Sequence, residues 1–176
     1  SGKARGDSVP EKSRYFTSFE KRVPARGAPW THGFFHYSIA AILKAPSRHN
    51  CKGTVTMKLL HIDSSIRNEN SVTRRLSAEL VAQWCGIYPN TQVERLDLAV
   101  DAPGHFNSDS LGVKYGLQAE PTERQRAENA LSERLLTQFL ETDVIIMGVP
   151  LYNFTVPTQL KAWIARLAQP GRSFKY

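Results

Sequence analysis

Two short stretches of the chain carry residues suited to chemistry. Between positions 63 and 73, Ser64, Ser65, Ser71 and Thr73 place four hydroxyls around the point where a helix begins. Hydroxyl donors, free backbone N–H groups and the positive end of a helix dipole together suit a bound anion, and a phosphate monoester needs little else. The stretch holds no GxGxxG and no GxxxxGK[ST], so neither a dinucleotide fingerprint nor a Walker loop is present. The second stretch, Leu151, Tyr152, Asn153 and Phe154, puts two aromatics into a turn between an apolar run and a helix. A turn is a poor place to bury apolar surface, and a flat, partly apolar partner would account for it. No side chain is singled out as an acid, base or metal ligand. Asp63 has no second acidic residue beside it, His61 reads as a core or edge residue, Arg67 as a solvated loop residue, and His105 lies in a long loop.

Alternating strands and helices would position these stretches. Residues 57–62 (MKLLHI) read as a buried strand. Asn70 or Ser71 can cap the next helix, whose face carries Val72, Leu76, Leu80 and Trp84 until Gly86 and Pro89 stop it. A second strand has Val93, Leu96 and Leu98 as its apolar positions. Residues 100–120 form a long loop rich in Gly, Asp, Ser and Asn. Pro121 and Thr122 open a helix with Ala127, Leu131, Leu135 and Phe139 facing inward. Residues 144–149 are a third strand, and Leu160, Trp163, Ile164 and Leu167 mark a third helical face. This alternation implies a parallel sheet with helices on its faces. In such sheets ligands bind beyond the carboxyl ends of the strands. The order 2-1-3-4-5 would make the first and third strands neighbours, so the hydroxyl loop and the aromatic turn would be two walls of one pocket.

Charge separates the chain into two parts. Of its 23 Lys and Arg and 16 Asp and Glu, 10 and 3 respectively precede residue 57, so the whole net charge of +7 lies there. Residues 1–56 carry no sustained period and are broken by prolines and glycines, which predicts a mostly disordered or non-native basic leader. The alternative is an arm for an interaction partner. Residues 57–176 form the domain. Two cysteines, Cys51 and Cys85, make no metal or disulfide pattern. The longest apolar candidate, residues 34–43, contains His36 and falls well short of the ~20 residues of a membrane span.

From Met57 onward the chain resembles the FMN-dependent NADH-azoreductase and NADH:quinone oxidoreductase family, which is flavodoxin-like. The residues carrying the resemblance are MKLLHIDSSIRNENSVTRRLS, TERQRAENALSERLLTQFLETDVIIMGVPLYNF and PTQLKAWIARLAQPGRSFKY; PLYNF followed by TQLK is the most specific part. It covers residues 57–176 and none of 1–56. The resemblance implies that Ser65 and the segment Ser71, Val72 and Thr73 hold the FMN phosphate. It also implies that Leu151, Tyr152, Asn153 and Phe154 lie along the isoalloxazine ring. The family's usual Ser-x-Ser reads Ser71-Val72-Thr73 here, and its frequent Met is Leu151.

The implied activity passes a hydride from NADH to the flavin and then electrons to a quinone or azo acceptor, in ping-pong order. A homodimer in the cytoplasm is implied for the complete enzyme, with no nucleic-acid or membrane partner. Only three strands of the five that the fold needs are found, so the chain reads as the N-terminal portion of such an enzyme, inactive by itself, with the third strand an exposed edge beside a bare helix face. Two further readings are a flavodoxin-like electron carrier without catalysis and an interaction protein using the basic arm of 1–56.

Overall fold

The structure, a computed structural model, describes residues 16–19, 37–43, 56–112 and 120–174. Its elements in chain order are β1 (Phe16–Phe19), β2 (Tyr37–Leu43), β3 (Met57–Asp63), α1 (Val72–Ile87), β4 (Thr91–Asp97), α2 (Glu123–Glu141), β5 (Val144–Pro150) and α3 (Thr158–Leu167). Short 3-10 turns lie at Asn68–Asn70 and Ser108–Leu111. One sheet runs in the order β1-β2-β5-β3-β4. β3 pairs in parallel with β4 on one side and β5 on the other, in registers that oppose Leu59 to Val93 and Ile62 to Met147. The first and third strands of the domain are therefore neighbours, and the loops leaving them emerge side by side.

Side-chain alternation along the two central strands builds a core on each face. Leu60, Ile62, Ile145, Met147 and Val149 pack with Leu135, Leu136, Leu160 and Trp163 of α2 and α3. Leu59, Val144 and Ile146 meet Leu80, Val81 and Trp84 of α1 on the opposite face. Toward the carboxyl ends of the strands this second interface changes character. There α1 buries Thr73 and Ser77 rather than apolar side chains. The helix also comes so close that a Cβ on Gly148 would lie 2.9 Å from the Thr73 carbonyl oxygen and 3.0 Å from Ser77 Oγ. Only glycine fits that crossing of strand and helix without a shift.

The long loop is tied down by a buried cation. Arg166 of α3 is almost wholly inaccessible. It donates to Glu128 Oε2 at 2.8 Å, the Gly104 carbonyl at 3.0 Å and Ser132 Oγ at 3.2 Å. Ser110 donates to the same Glu128 oxygen at 2.6 Å. Burial would raise the Glu128 carboxyl, but the bonds from Ser110 and Arg166, with the Arg166 charge, outweigh it and hold the group below its ordinary range.

Several expectations are corrected. β5 is not an exposed edge. β2 pairs along its whole length, antiparallel, from Tyr37 opposite Pro150 to Leu43 opposite Val144. An unpaired strand edge is a row of free donors and acceptors, and the run YSIAAIL has the β-branched, apolar composition to pair with it. Within the basic segment, then, Phe16–Phe19 and Tyr37–Leu43 are strands; the rest of the expectation of a disordered leader concerns residues outside those described. Ala127 is exposed and Leu136 fully buried, because the inward stripe of α2 runs through Ser132, Leu135 and Leu136. Ile164 lies on the exposed side of α3, with Arg166 taking an inward place. Val93 is exposed on the outer strand β4.

Candidate functional site

The hydroxyl loop begins where β3 ends. Ser64 prolongs the pairing with β5: its N–H and its hydroxyl both donate to the Gly148 carbonyl, at 3.3 Å and 2.8 Å. That hydroxyl is spent inside the fold, so Ser64 drops out of the set of anion donors. Ser65 is buried as well, but its Oγ faces the neighbouring loop, accepting from the Arg67 N–H at 3.3 Å and sharing a hydrogen bond of 3.1 Å with the Tyr152 hydroxyl. The chain then turns through Asn68, at φ 46°, into the 3-10 turn. Ser71, rather than Asn70, is the N-cap of α1, accepting from the Arg74 N–H at 3.3 Å and lying 3.0 Å from Thr73 Oγ1. Val72 opens the helix, where the first backbone N–H groups have no intrahelical acceptor.

The aromatic stretch is a two-residue hairpin. Tyr152 N–H donates to the Thr155 carbonyl at 2.9 Å, and Thr155 N–H returns to the Tyr152 carbonyl at 3.1 Å. Asn153 and Phe154 sit between them with φ of 51° and 64°. Two left-handed central residues are the requirement of a type I′ turn, for which Asn is well suited and Phe is not. A bulky residue held there costs on the order of 1–2 kcal/mol. Phe154 is nonetheless fully exposed, and Leu151 is exposed beside it. Tyr152 alone turns inward, where its hydroxyl also accepts the Ile66 N–H at 3.2 Å. The hydrogen bonds from the turn to the hydroxyl loop run through the Tyr152 hydroxyl.

Beneath the hydroxyl loop lies a charged network. Asp63, 1% exposed, accepts from Ser77 Oγ at 3.1 Å and from Arg95 Nε and Nη2 at 3.1 and 2.7 Å. His61 Nε2 lies 2.9 Å from Ser77 Oγ and 3.5 Å from Asp63 Oδ1. While Ser77 donates to Asp63, that His61 nitrogen carries the proton. Burial would raise the Asp63 carboxyl, but His61, Arg95 and the nearby Arg74 charge outweigh it and bring it from the ordinary 3.8 to about 2. Arg74 reaches Asp97 through two hydrogen bonds of 2.6 Å, which raise its own pKa and lower that of Asp97.

Ser65, Ser71, Thr73 and Tyr152 are thus brought to one place at the carboxyl ends of β3 and β5. His61 is a core residue, as its position in the strand suggests. Arg74, Asp97, Arg95 and Ser77 escape sequence reasoning. The only sequence signal for them is a basic residue in the first helical turn, where the dipole disfavours it. An open cleft of about 370 Å³ adjoins the loop, bounded by Asn68, Ser71, Arg74 and Arg95. A larger cavity of about 590 Å³, between β4 and α2, touches neither loop.

The sequence profile of the family described as having a flavodoxin-like fold matches residues 57–176. The chain belongs to that flavodoxin-like family. Within it, the chain is 63% identical over 120 residues to the FMN-dependent NADH:quinone oxidoreductase of Albidiferax ferrireducens, covering 68% of this chain and 59% of that protein. A second protein of the same name, from Acidovorax ebreus, is 53% identical over 120 residues, with 68% and 56% covered. The crystal structure of an azoreductase from Bacillus anthracis strain Sterne superposes with a TM-score of 0.61 at 29% identity, covering 68% of this chain and 59% of that one. The chain therefore spans a little over half the length of the flavodoxin-like relatives it matches, and the match begins at Met57, where β3 begins. All the site residues lie inside it.

Proposed function

We propose that residues 57–176 form the flavin-binding part of an FMN-dependent NADH:quinone or azo-compound oxidoreductase. The observation that carries this reading is the bond between Ser65 and Tyr152, which joins a hydroxyl-lined anion loop to an exposed aromatic turn. An anion site and a flat apolar surface side by side suit a phosphorylated flavin. The donor set fits the group: buried hydroxyls of Ser65, Ser71 and Thr73 beside the N–H groups of Val72 and Thr73 in the first turn of α1 for a phosphate monoester. Leu151 and Phe154 supply apolar contact for the ring, and the side-chain amide and backbone groups of Asn153 can meet its hydrogen-bonding end. FMN, when bound, carries the two electrons between NADH and the acceptor. The protein's own residues bind and orient it, and no side chain is assigned as an acid or base.

We assign the complete enzyme to the cytoplasm, as a homodimer acting on small quinone or azo acceptors. No helix among the described residues is long and apolar enough to cross a membrane. The relatives' names and the azoreductase likeness favour the reductase over a non-catalytic electron carrier.

The test compares FMN with riboflavin, which lacks the phosphate. Ser65→Ala and Thr73→Ala are each expected to weaken FMN by about 1.5–3 kcal/mol, the value of a hydrogen bond to a charged group, and to leave riboflavin unchanged. Equal losses for both flavins would show that the loop does not meet the phosphate. Flavin-dependent NADH oxidation with a quinone tests the activity itself.

A further inference from the structure

Arg74, beside the hydroxyl loop, spends four of its five N–H donors inside the fold. Arg74 stands in the first turn of α1, its side chain 12% exposed. Its Nε and Nη2 donate to the Ser65 carbonyl at 3.0 and 2.8 Å. Its Nη1 and Nη2 donate to Asp97 at 2.6 Å each, and Nη1 also lies 3.6 Å from Asp63. Asp97 is itself held by the Ala99 N–H at 3.0 Å. The guanidinium is therefore a rigid fork fixed at the end of β4, with its other edge on one carbonyl of the hydroxyl loop.

That carbonyl belongs to the peptide between Ser65 and Ile66. A trans peptide is planar, so its C=O and N–H point in opposite directions. Holding the Ser65 carbonyl toward Arg74 turns the Ile66 N–H the other way, and there it meets the Tyr152 hydroxyl at 3.2 Å. We propose that Arg74 is a positioning residue: it locks the Ser65–Ile66 peptide so that the Ile66 N–H faces the space between the two loops, where a phosphate monoester replaces the Tyr152 hydroxyl as its acceptor. The role rests on the FMN reading for its ligand, but the peptide orientation is independent of it. Arg74 acts through geometry, since its charge is matched by Asp97 and four of its five N–H groups are engaged within the fold.

The test uses the full chain, Arg74→Met and Arg74→Lys. FMN and riboflavin are titrated by flavin fluorescence, and amide exchange is followed by NMR at Ile66, Leu60 and Ile145. Both variants are expected to lose about tenfold in FMN affinity, the worth of one hydrogen bond to a charged group, with riboflavin unchanged. Ile66 exchange should quicken about tenfold while Leu60 and Ile145 keep their rates. Lysine keeps the charge but not the fork, so an Arg74→Lys chain with the original FMN affinity would overturn the proposal in favour of a simple charge. Unchanged Ile66 exchange in Arg74→Met, or equal loss of both flavins, would overturn it too. If Arg74→Met does not fold, Asp97→Asn leaves the arginine in place with a weaker anchor and should show the same two changes at about threefold. If the unaltered chain binds FMN no better than riboflavin, the FMN reading fails, and Ile66 exchange alone decides the role of Arg74.

Discussion

The two loops that meet at Ser65 and Tyr152 are built in opposite ways. The hydroxyl loop is fixed from below: Ser64 is bound to β5, Ser71 caps α1, and Asp63, Ser77, Arg74 and Asp97 cross-link three elements under it. The aromatic turn has two backbone bonds of its own and one side-chain tether, and it holds Phe154 in a left-handed conformation in full exposure. Small, charged and hydroxyl groups need exact geometry to bind an anion, and a network of paired charges supplies it. A ring needs apolar surface, and rigid backbone strain can present that surface without burying it. One loop is therefore organised in advance around a point, while the other offers an uncovered face.

The contrast can be broken most forcefully at Gly148. Gly148→Ala must displace the Thr73 carbonyl and with it the start of α1. Overpacking of this kind costs about 1–3 kcal/mol, read as a lower urea midpoint, and should weaken FMN further by moving Thr73. An unaltered midpoint would mean that the hydroxyl loop is not the locked one. Ser71→Ala removes the cap on which the same loop depends and should cost about 1 kcal/mol in the same measurement.

The turn should respond in the opposite sense. Phe154→Gly relieves left-handed strain, less the entropy that glycine adds to the unfolded chain, for a net gain of about 0.5 kcal/mol. Flavin affinity should fall at the same time. A variant both more stable and weaker in binding would mark the strain as serving the ligand, and a loss of stability would show that Phe154 supports the fold instead.

The last effect is protonic. The Asp63 carboxyl is depressed from 3.8 to about 2, so its contribution to stability is full above about pH 4 and is lost as pH falls through about 2. Acid unfolding followed by circular dichroism should show this limb, and Asp63→Asn should flatten it at the cost of stability at pH 7. An identical acid limb in Asp63→Asn would remove Asp63 from the network.

Much of this was legible in the sequence, for reasons that differ by residue. The cores follow from the short apolar runs in MKLLHID and VIIMGVP, which read as buried strands, and from the spacing of Leu160, Trp163 and Leu167. The grouping of Ser65, Ser71 and Thr73 with Tyr152 follows from strand order, since a parallel sheet sends both loops to the same end. Pairs such as Arg74 with Asp97 and Asp63 with Arg95 are not legible, because they depend on which side chains the register of β3 and β4 sets face to face. The inward Arg166 was hidden because a charged residue in an apolar stripe reads as solvent-facing until Glu128 and Gly104 are seen beside it. Pairing of β2 on β5 was missed because antiparallel partners far apart in sequence leave no periodic mark on each other.

The contact between the Ser64 hydroxyl and the Gly148 carbonyl spans 84 positions of chain. During synthesis the serine therefore emerges long before its acceptor exists, by roughly 10 s at 5–20 residues per second. Through that interval β3 lacks its β5 neighbour. The order in which the two walls take shape is thus set by the translation clock: the turn can close locally as soon as it is made, while the hydroxyl loop waits for the strand that precedes that turn.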